Sequence, residues 1–554
     1  GTLGNITAAN GLSFANAQAL AVGGTVNGGS STSLSTTSGK LTIGGSIGGA
    51  SIALAGQGGL DINAAVNAGT GDISLGSSGG AITEGSSGVL TAGSLSGTSA
   101  GSTTLDGANQ VVTLGNFTTG GDFSFRDART LTVNSPLDAN GGSGNLSLTA
   151  AGSSSDLIVA TSLTGGTVTL AAGRNITSST GITATTLTGS AGGQAQLGST
   201  NHVGTLGDFS AGSLQFGNAG ALIVGGQVNT GAGALNLSTT AGNLRVTGGV
   251  SGGAVGLTSA SALTIDGTVS ATTLALQAAG AITQAAGGVI TASSLSGTSG
   301  GGTTLDGANH VGSLGSFSAD GFRFTNAGAL TVAGPIDGGS TTRLATTSGD
   351  LAINGRVSGT STTLASAGAI NEGSGGRIVA GSLAGQSSGA TTLGGSNSVD
   401  ALGSFSAGSL SFTNGKALSV SGPVDGGALA SLTTTSGDLA VNGHLSATAV
   451  WLQSAGAITE GSGGVITAAT LSGQSAGLTS LGTQSQAIGN QIDTLGNFSS
   501  TAGFSLTNDK TLTLASVDNS TFTVAAGHAE LYLGVTQGDL LEQGKTPLYD
   551  GTGT

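Results

Sequence analysis

The chain contains no cysteine and no methionine, and its 554 residues include only four prolines, two tyrosines and one tryptophan. Without cysteine, neither a disulfide framework nor a thiolate metal site can form. Without methionine there is no initiator, and the opening Gly1-Thr2-Leu3-Gly4 reads as mid-repeat, so the sequence is expected to lie within a longer polypeptide. Charge is equally scarce. Only 7% of residues are charged, and 12 basic and 26 acidic residues leave a net charge of -14 that is spread singly along the chain. A nucleic-acid surface needs clustered Lys and Arg, so no such partner is expected. No run approaches the ~18 apolar residues of a membrane span, and no signal peptide is visible.

What is present in abundance is glycine, at 108 residues, with Ser, Thr, Ala and Leu. Such bias can mean disorder. Disorder, however, goes with low hydrophobicity and high charge, whereas here 37% of residues are hydrophobic and the mean hydropathy is +0.27. An ordered core follows.

The order is repetitive on two scales. A Leu-Gly-x-Phe block recurs at Leu114 to Phe117, Leu206 to Phe209, Leu314 to Phe317, Leu402 to Phe405 and Leu495 to Phe498, with a variant at Leu3-Gly4-Asn5-Ile6. The spacings between successive block leucines are 111, 92, 108, 88 and 93. These fall into two groups differing by about 20 residues, the length of one solenoid turn. Between the blocks, short runs alternate with period two, as in Leu41-Thr42-Ile43 and Leu351-Ala352-Ile353, and glycines punctuate them. Alternation of this kind makes half-buried strands, and frequent Gly disfavours helix.

A strand of four to six residues cannot bury one face alone, but stacked coils give it parallel neighbours at ~4.8 Å. The expected fold is all-β, a parallel β-helix of roughly 27 coils with negligible helix, on the order of 130 Å long. Residues 1–515 form the repeat shaft, in about five modules of four to six coils each. The modules share landmarks in the same order, as in Ala81-Ile82-Thr83-Glu84, then Ser94-Leu95-Ser96-Gly97, then Leu105-Asp106-Gly107-Ala108-Asn109. Of the 14 phenylalanines, 13 lie in or just after the blocks, which marks them as core fillers.

Few residues suggest chemistry. Glu84, Glu372, Glu460, Asp106 and Asp306 recur at most once per module, whereas an enzyme needs one unique pair of carboxylates. No cluster of Asp with Arg or Lys on neighbouring coils stands out either, so no catalytic residue is assigned and the chain is expected not to be an enzyme. His202 and His310 stand four positions before a block leucine, where other modules have Gln110, Ser398 and Gln491. A position that accepts Gln and Ser is a polar turn rather than a ligand, so no metal or cofactor is expected. The preceding residue is Asn109, Asn201, Asn309, Asn397 or Asn490, read as a coil corner because Asn tolerates the left-handed conformation. Trp451 occupies a position where an earlier module has Ala275, facing solvent, and an outward indole can stack on a sugar ring. Trp451 and Tyr532 are the candidate carbohydrate contacts.

From about residue 516 the pattern changes, and residues 516–554 are read as terminal coils or a cap leading to a further repeat domain. The Pro547-Leu548-Tyr549-Asp550-Gly551 segment resembles the Tyr-Asp-Gly repeats of very large bacterial exoproteins. With the Gly/Ser/Thr/Ala-rich coils and the lack of Cys, the whole chain resembles the repeat shaft of filamentous-haemagglutinin-like adhesins of the two-partner secretion family, most like the biofilm-matrix adhesins regulated by cyclic di-GMP. That resemblance implies a right-handed β-helix and export through an outer-membrane transporter that engages regions not in this chain. It also implies an extracellular site on a Gram-negative surface or in biofilm matrix, and attachment to exopolysaccharide, a cell-surface glycan or other cells. The stalk of a contact-dependent toxin-delivery protein and a polysaccharide-degrading β-helix enzyme are the alternatives.

Overall fold

The computed structural model describes residues 1–482, 489–515, 522–526 and 531–533, the last two segments as backbone only. The chain divides into two compact units, Gly1–Thr291 and Ala292–Thr554. Each is a stack of parallel β coils, about 25 turns in all. Among the described residues the one departure from strand and turn is a 3-10 turn at Asn140–Gly142.

The coil repeat is visible directly in the strand register. In the first unit Leu20, Leu41, Leu60, Ile82 and Thr103 lie one above another, each a single coil from the next. A second column runs Ile52, Ile73, Leu95, Leu114, each at most 1% exposed. Burying one such side chain contributes about 1.5–3 kcal/mol. There are fewer turns than the expected count because some coils carry extra length. Leu131 pairs with Leu157 and Leu481 with Leu506, wider intervals than Leu41 to Leu60.

The Leu-Gly-x-Phe block is a β-bulge. Leu114 sits over Leu95 and Phe117 over Gly97, so Gly115 and Asn116 together oppose Ser96 alone. The same shift occurs at Leu206, Leu402 and Leu495. A third inward column, Leu34, Leu54 and Leu75, meets Gly97 just where the phenylalanine arrives above it. The ring and the carbonyl of the coil below together leave no room at that glycine of the Ser-Leu-x-Gly landmark: a Cβ on Gly97 would lie 2.6 Å from both Phe117 and Leu75 O, and on Gly385 2.8 Å from Phe405 and 2.4 Å from Leu364 O. Two landmarks separated in the sequence are therefore the two halves of one packing contact. Phe117, Phe209, Phe317, Phe405 and Phe498 are all buried. Phe117 and Phe498 pack on Phe123 and Phe504 with ring centres 5.0 and 4.8 Å apart.

The block also shifts the phase of the coil. The column ending at Leu114 continues into the short strand at Val133, while the short-strand column ending at Thr103 becomes the long strand Phe123–Asp127. Between Leu114 and Leu206, Val133, Val159, Ser178 and Leu197 count four stacked coils, and Leu206 falls beyond the fourth. This module is therefore four coils plus roughly one face, rather than a whole number of coils. Parallel pairing continues past residue 515, through Phe504 to Phe522 and Leu512 to Leu531.

Candidate functional site

The asparagine before each block is not a coil corner. Asn109, Asn201, Asn309, Asn397 and Asn490 are fully buried, and Asn140 is the one non-glycine residue with positive φ among the described residues. Each side chain instead ties coils together. Asn397 Oδ1 accepts from the Ile378 amide of the coil below at 2.7 Å, while Nδ2 donates to Thr413 O of the coil above at 3.2 Å. Nδ2 also reaches Glu372 Oε2 at 2.9 Å, and that oxygen accepts the Gly395 amide at 2.6 Å. Glu84 with Gly107 and Asn109 repeats the arrangement, and Glu460 with Asn490 part of it. Buried polar groups are in general hydrogen-bonded, and these residues bond one another across three coils, with Oε1 of Glu84 and of Glu372 left without a partner. The recurring glutamates are thus structural partners of the asparagines.

A second buried position lies in register on the next coil, at Asp127, Asn218, Asn326, Asn414 and Asn508. Sequence reasoning missed it, although the Phe-x-Asn triplets at Phe216, Phe324 and Phe412 carry the signal. Asn414 accepts the Val399 amide at 2.9 Å and donates to Val399 O and Lys416 O, both at 2.9 Å. Asp127 can only accept when ionised. It takes the Val111 amide at 2.6 Å and the Arg129 amide at 2.7 Å. Burial pushes its carboxyl up to about 6, against the opposing pull of those two amides and of the Arg129 and Arg126 charges. Burial likewise raises Glu84, and the neighbouring Asp106 charge adds to the rise.

Charged partners do meet on adjacent coils, contrary to the sequence reading. Arg174 pairs with Asp156 at 2.5 Å, Lys40 with Asp61 at 2.9 Å and Arg323 with Asp306 at 2.8 Å, and Arg245 pairs with Asp266. The Arg174 contact holds Asp156 below the usual carboxylate range. All four pairs are solvent-facing, where such pairs contribute about 0–1 kcal/mol. His202 and His310 are exposed; His202 Nδ1 lies 3.1 Å from Thr200 O. Among the described residues no group of three His, Asp or Glu could hold a metal. No helix among them is long and apolar enough to cross a membrane.

No family model, curated protein or solved structure matches the chain. Its own geometry is what locates a site. Trp451 lies on the outer face of the strand His444–Ser454, between buried Val450 and Leu452. Ser431 is in register below it and Ser472 above. Small neighbours on both sides leave the half-buried indole standing above a row of hydroxyls. Tyr532 is in the strand Leu531–Leu533 opposite Thr513; its side chain, like Tyr549-Asp550-Gly551, is outside the described residues.

Trp451 is not isolated. Two coils below it, in the column Ser411, Ser431, Trp451, the outer face opens into a groove of about 580 Å³. Its lining is Glu372, Ser374, Thr392, Ser396, Thr413 and Thr435 with intervening glycines. Five hydroxyls and one carboxylate converge there. Glu372 Oε2 is committed to Gly395 and Asn397, while Oε1 is buried with no partner.

Proposed function

We propose that the chain is the repeat shaft of an extracellular bacterial adhesin that attaches cells to one another or to matrix exopolysaccharide in a biofilm, without catalytic activity. The observation that carries this reading is the division of labour along the described coils. Most apolar side chains and the bridging residues point inward, and the outer wall is mainly hydroxyl and amide with few charges. Such a wall offers many weak hydrogen-bonding positions and a stacking surface at Trp451, which suits polymeric hydroxyl-rich ligands rather than a single small substrate. The resemblance to two-partner secretion adhesins supports the same location, on a Gram-negative surface or in its matrix, with export by an outer-membrane transporter.

The test is attachment. Beads coated with the full chain are expected to bind biofilm matrix and to clump cells that produce it, and uncoated beads are not. Coated beads that gather neither matrix nor cells would reduce the chain to a spacer.

A further inference from the structure

At the groove over Glu372 this module lacks a charge pair that the module before it carries. In the module before it, Asp306 holds Arg323 by Nε at 3.0 Å and Nη2 at 2.8 Å, and Thr325 at 2.9 Å. In the first unit Asp106 holds Ser124 at 2.5 Å, and Arg126 reaches Gly107 O at 3.4 Å. The register fixes the equivalence residue by residue. Leu305 pairs with Phe324 as Leu393 pairs with Phe412, and Leu105 with Phe125, so Gly394 stands for Asp306 and Asp106. Likewise Ser411 stands for Arg323, and Thr413 for Thr325 and Arg126. A Cβ added at Gly394 would meet nothing within 4 Å, so no packing constraint requires glycine there.

With Gly394 where the sister module has Asp306, Glu372 is the one ionisable group that lines the groove, among hydroxyls and glycines. From this groove the same outer face continues without interruption: Thr413, Thr433 and Gln453 in one column, Ser411, Ser431 and Trp451 in the next. Ser411 and Trp451 are two coils, about 10 Å, apart. The coil rise is close to the length of one hexose in an extended chain.

The geometry points to a glycan-binding track running from the Glu372 groove to Trp451, taking a neutral polysaccharide strand. The hydroxyl ladder hydrogen-bonds its sugars and the indole stacks on one ring. An acidic polymer is disfavoured because the only charge in the groove is a carboxylate. This assignment rests on the adhesin reading for its ligand class, but it places the contact at named residues.

The chain's single tryptophan makes the test direct. The full protein is titrated with soluble mannan, galactan and β-1,4-glucan oligosaccharides, with alginate as the acidic arm, while Trp451 emission and bound polymer are followed. At least one neutral polymer is expected to bind and to shift the emission, and alginate is not. The double substitution Gly394→Asp with Ser411→Arg, which rebuilds the sister module's pair, is expected to weaken that binding at least tenfold with unchanged far-ultraviolet circular dichroism. Trp451→Ala is expected to do the same. Neutral-glycan binding that is indifferent to both variants and leaves the emission unchanged would overturn the track while leaving the adhesin reading intact. Binding of alginate alone would also overturn it. Failure to bind any glycan, matrix or cell would overturn both.

Discussion

The Asp127 and Asn414 nodes occupy the same place in their modules, yet they solve the same bonding problem with different chemistry. Both must satisfy an amide on the coil below, Val111 or Val399. Asn414 then uses its two amide hydrogens on carbonyls, including Lys416 O two residues ahead. Asp127, when ionised, has no hydrogen to give, and the residue two ahead presents its amide instead of its carbonyl. The turn has adapted to the side chain. The cost appears as a carboxyl raised to about 6, whereas the amide is neutral at every pH. Interior bridges of this solenoid thus specify hydrogen bonds first, and the residue type is negotiable only if the local backbone turns with it.

The harshest way to break the comparison is to remove the bridge that both nodes depend on, the asparagine before the block. Asn397→Leu leaves the Ile378 amide and the Thr413 carbonyl without their partner and removes one of the two donors to Glu372 Oε2. Each unsatisfied buried group costs about 1–3 kcal/mol, so a loss of roughly 3–5 kcal/mol is expected. Coils in a solenoid contact only their neighbours. Amide hydrogen exchange should therefore show lost protection around Ile378 and Thr413, with the first unit unchanged. Protection equal to the parent's would mean that the bridge is incidental.

That these asparagines matter is legible in the sequence; their role is not. An asparagine at a turn and one bridging coils share the same side chain and the same glycine-rich surroundings. What separates them is which residue lies 19 positions earlier on the coil below, as Ile378 lies below Asn397, and this needs the register. The strands, the inward leucines and the core phenylalanines are readable because period-two alternation and the coil repeat are local or strictly periodic. The glycine under each block phenylalanine stands out as a landmark without its cause, since its partner is a coil away. Matching modules place Trp451 on the outer face, where the structure has it. The groove below it escapes such matching, because its lining comes from several coils and includes glycines such as Gly394 that carry no side-chain signal.

A milder break exchanges the chemistry without moving the turn. Asn414→Asp would set a carboxylate against Val399 O and Lys416 O, which now accept hydrogens. A cost of about 2–4 kcal/mol is expected at pH 7, partly recovered at pH 4, where the protonated acid can again donate. The readout is protection at the Val399 amide as a function of pH. A variant with the same protection at both pH values would show that the carbonyls do not need their donors.

The smallest effect, and the sharpest, is expected from Asp127→Asn. Because its carboxyl titrates near 6 in the folded chain against an ordinary 3.8, the native state holds a proton that the unfolded chain has lost between those values. Stability from this site is therefore complete below about pH 4, declines as pH rises through 6, and stays lost above it. The shift corresponds to at most about 3 kcal/mol. Asparagine abolishes this dependence, but it must also turn the Arg129 peptide toward the Asn414 arrangement, which subtracts from the gain. The variant is thus expected to protect the Val111 amide better than the parent at pH 7, by about 1–2 kcal/mol, and no better at pH 4. A difference that does not change with pH would locate the cost in the turn and not in the buried charge. In that case the two nodes would differ in backbone shape alone, and the two amides would fully offset the burial of the carboxylate.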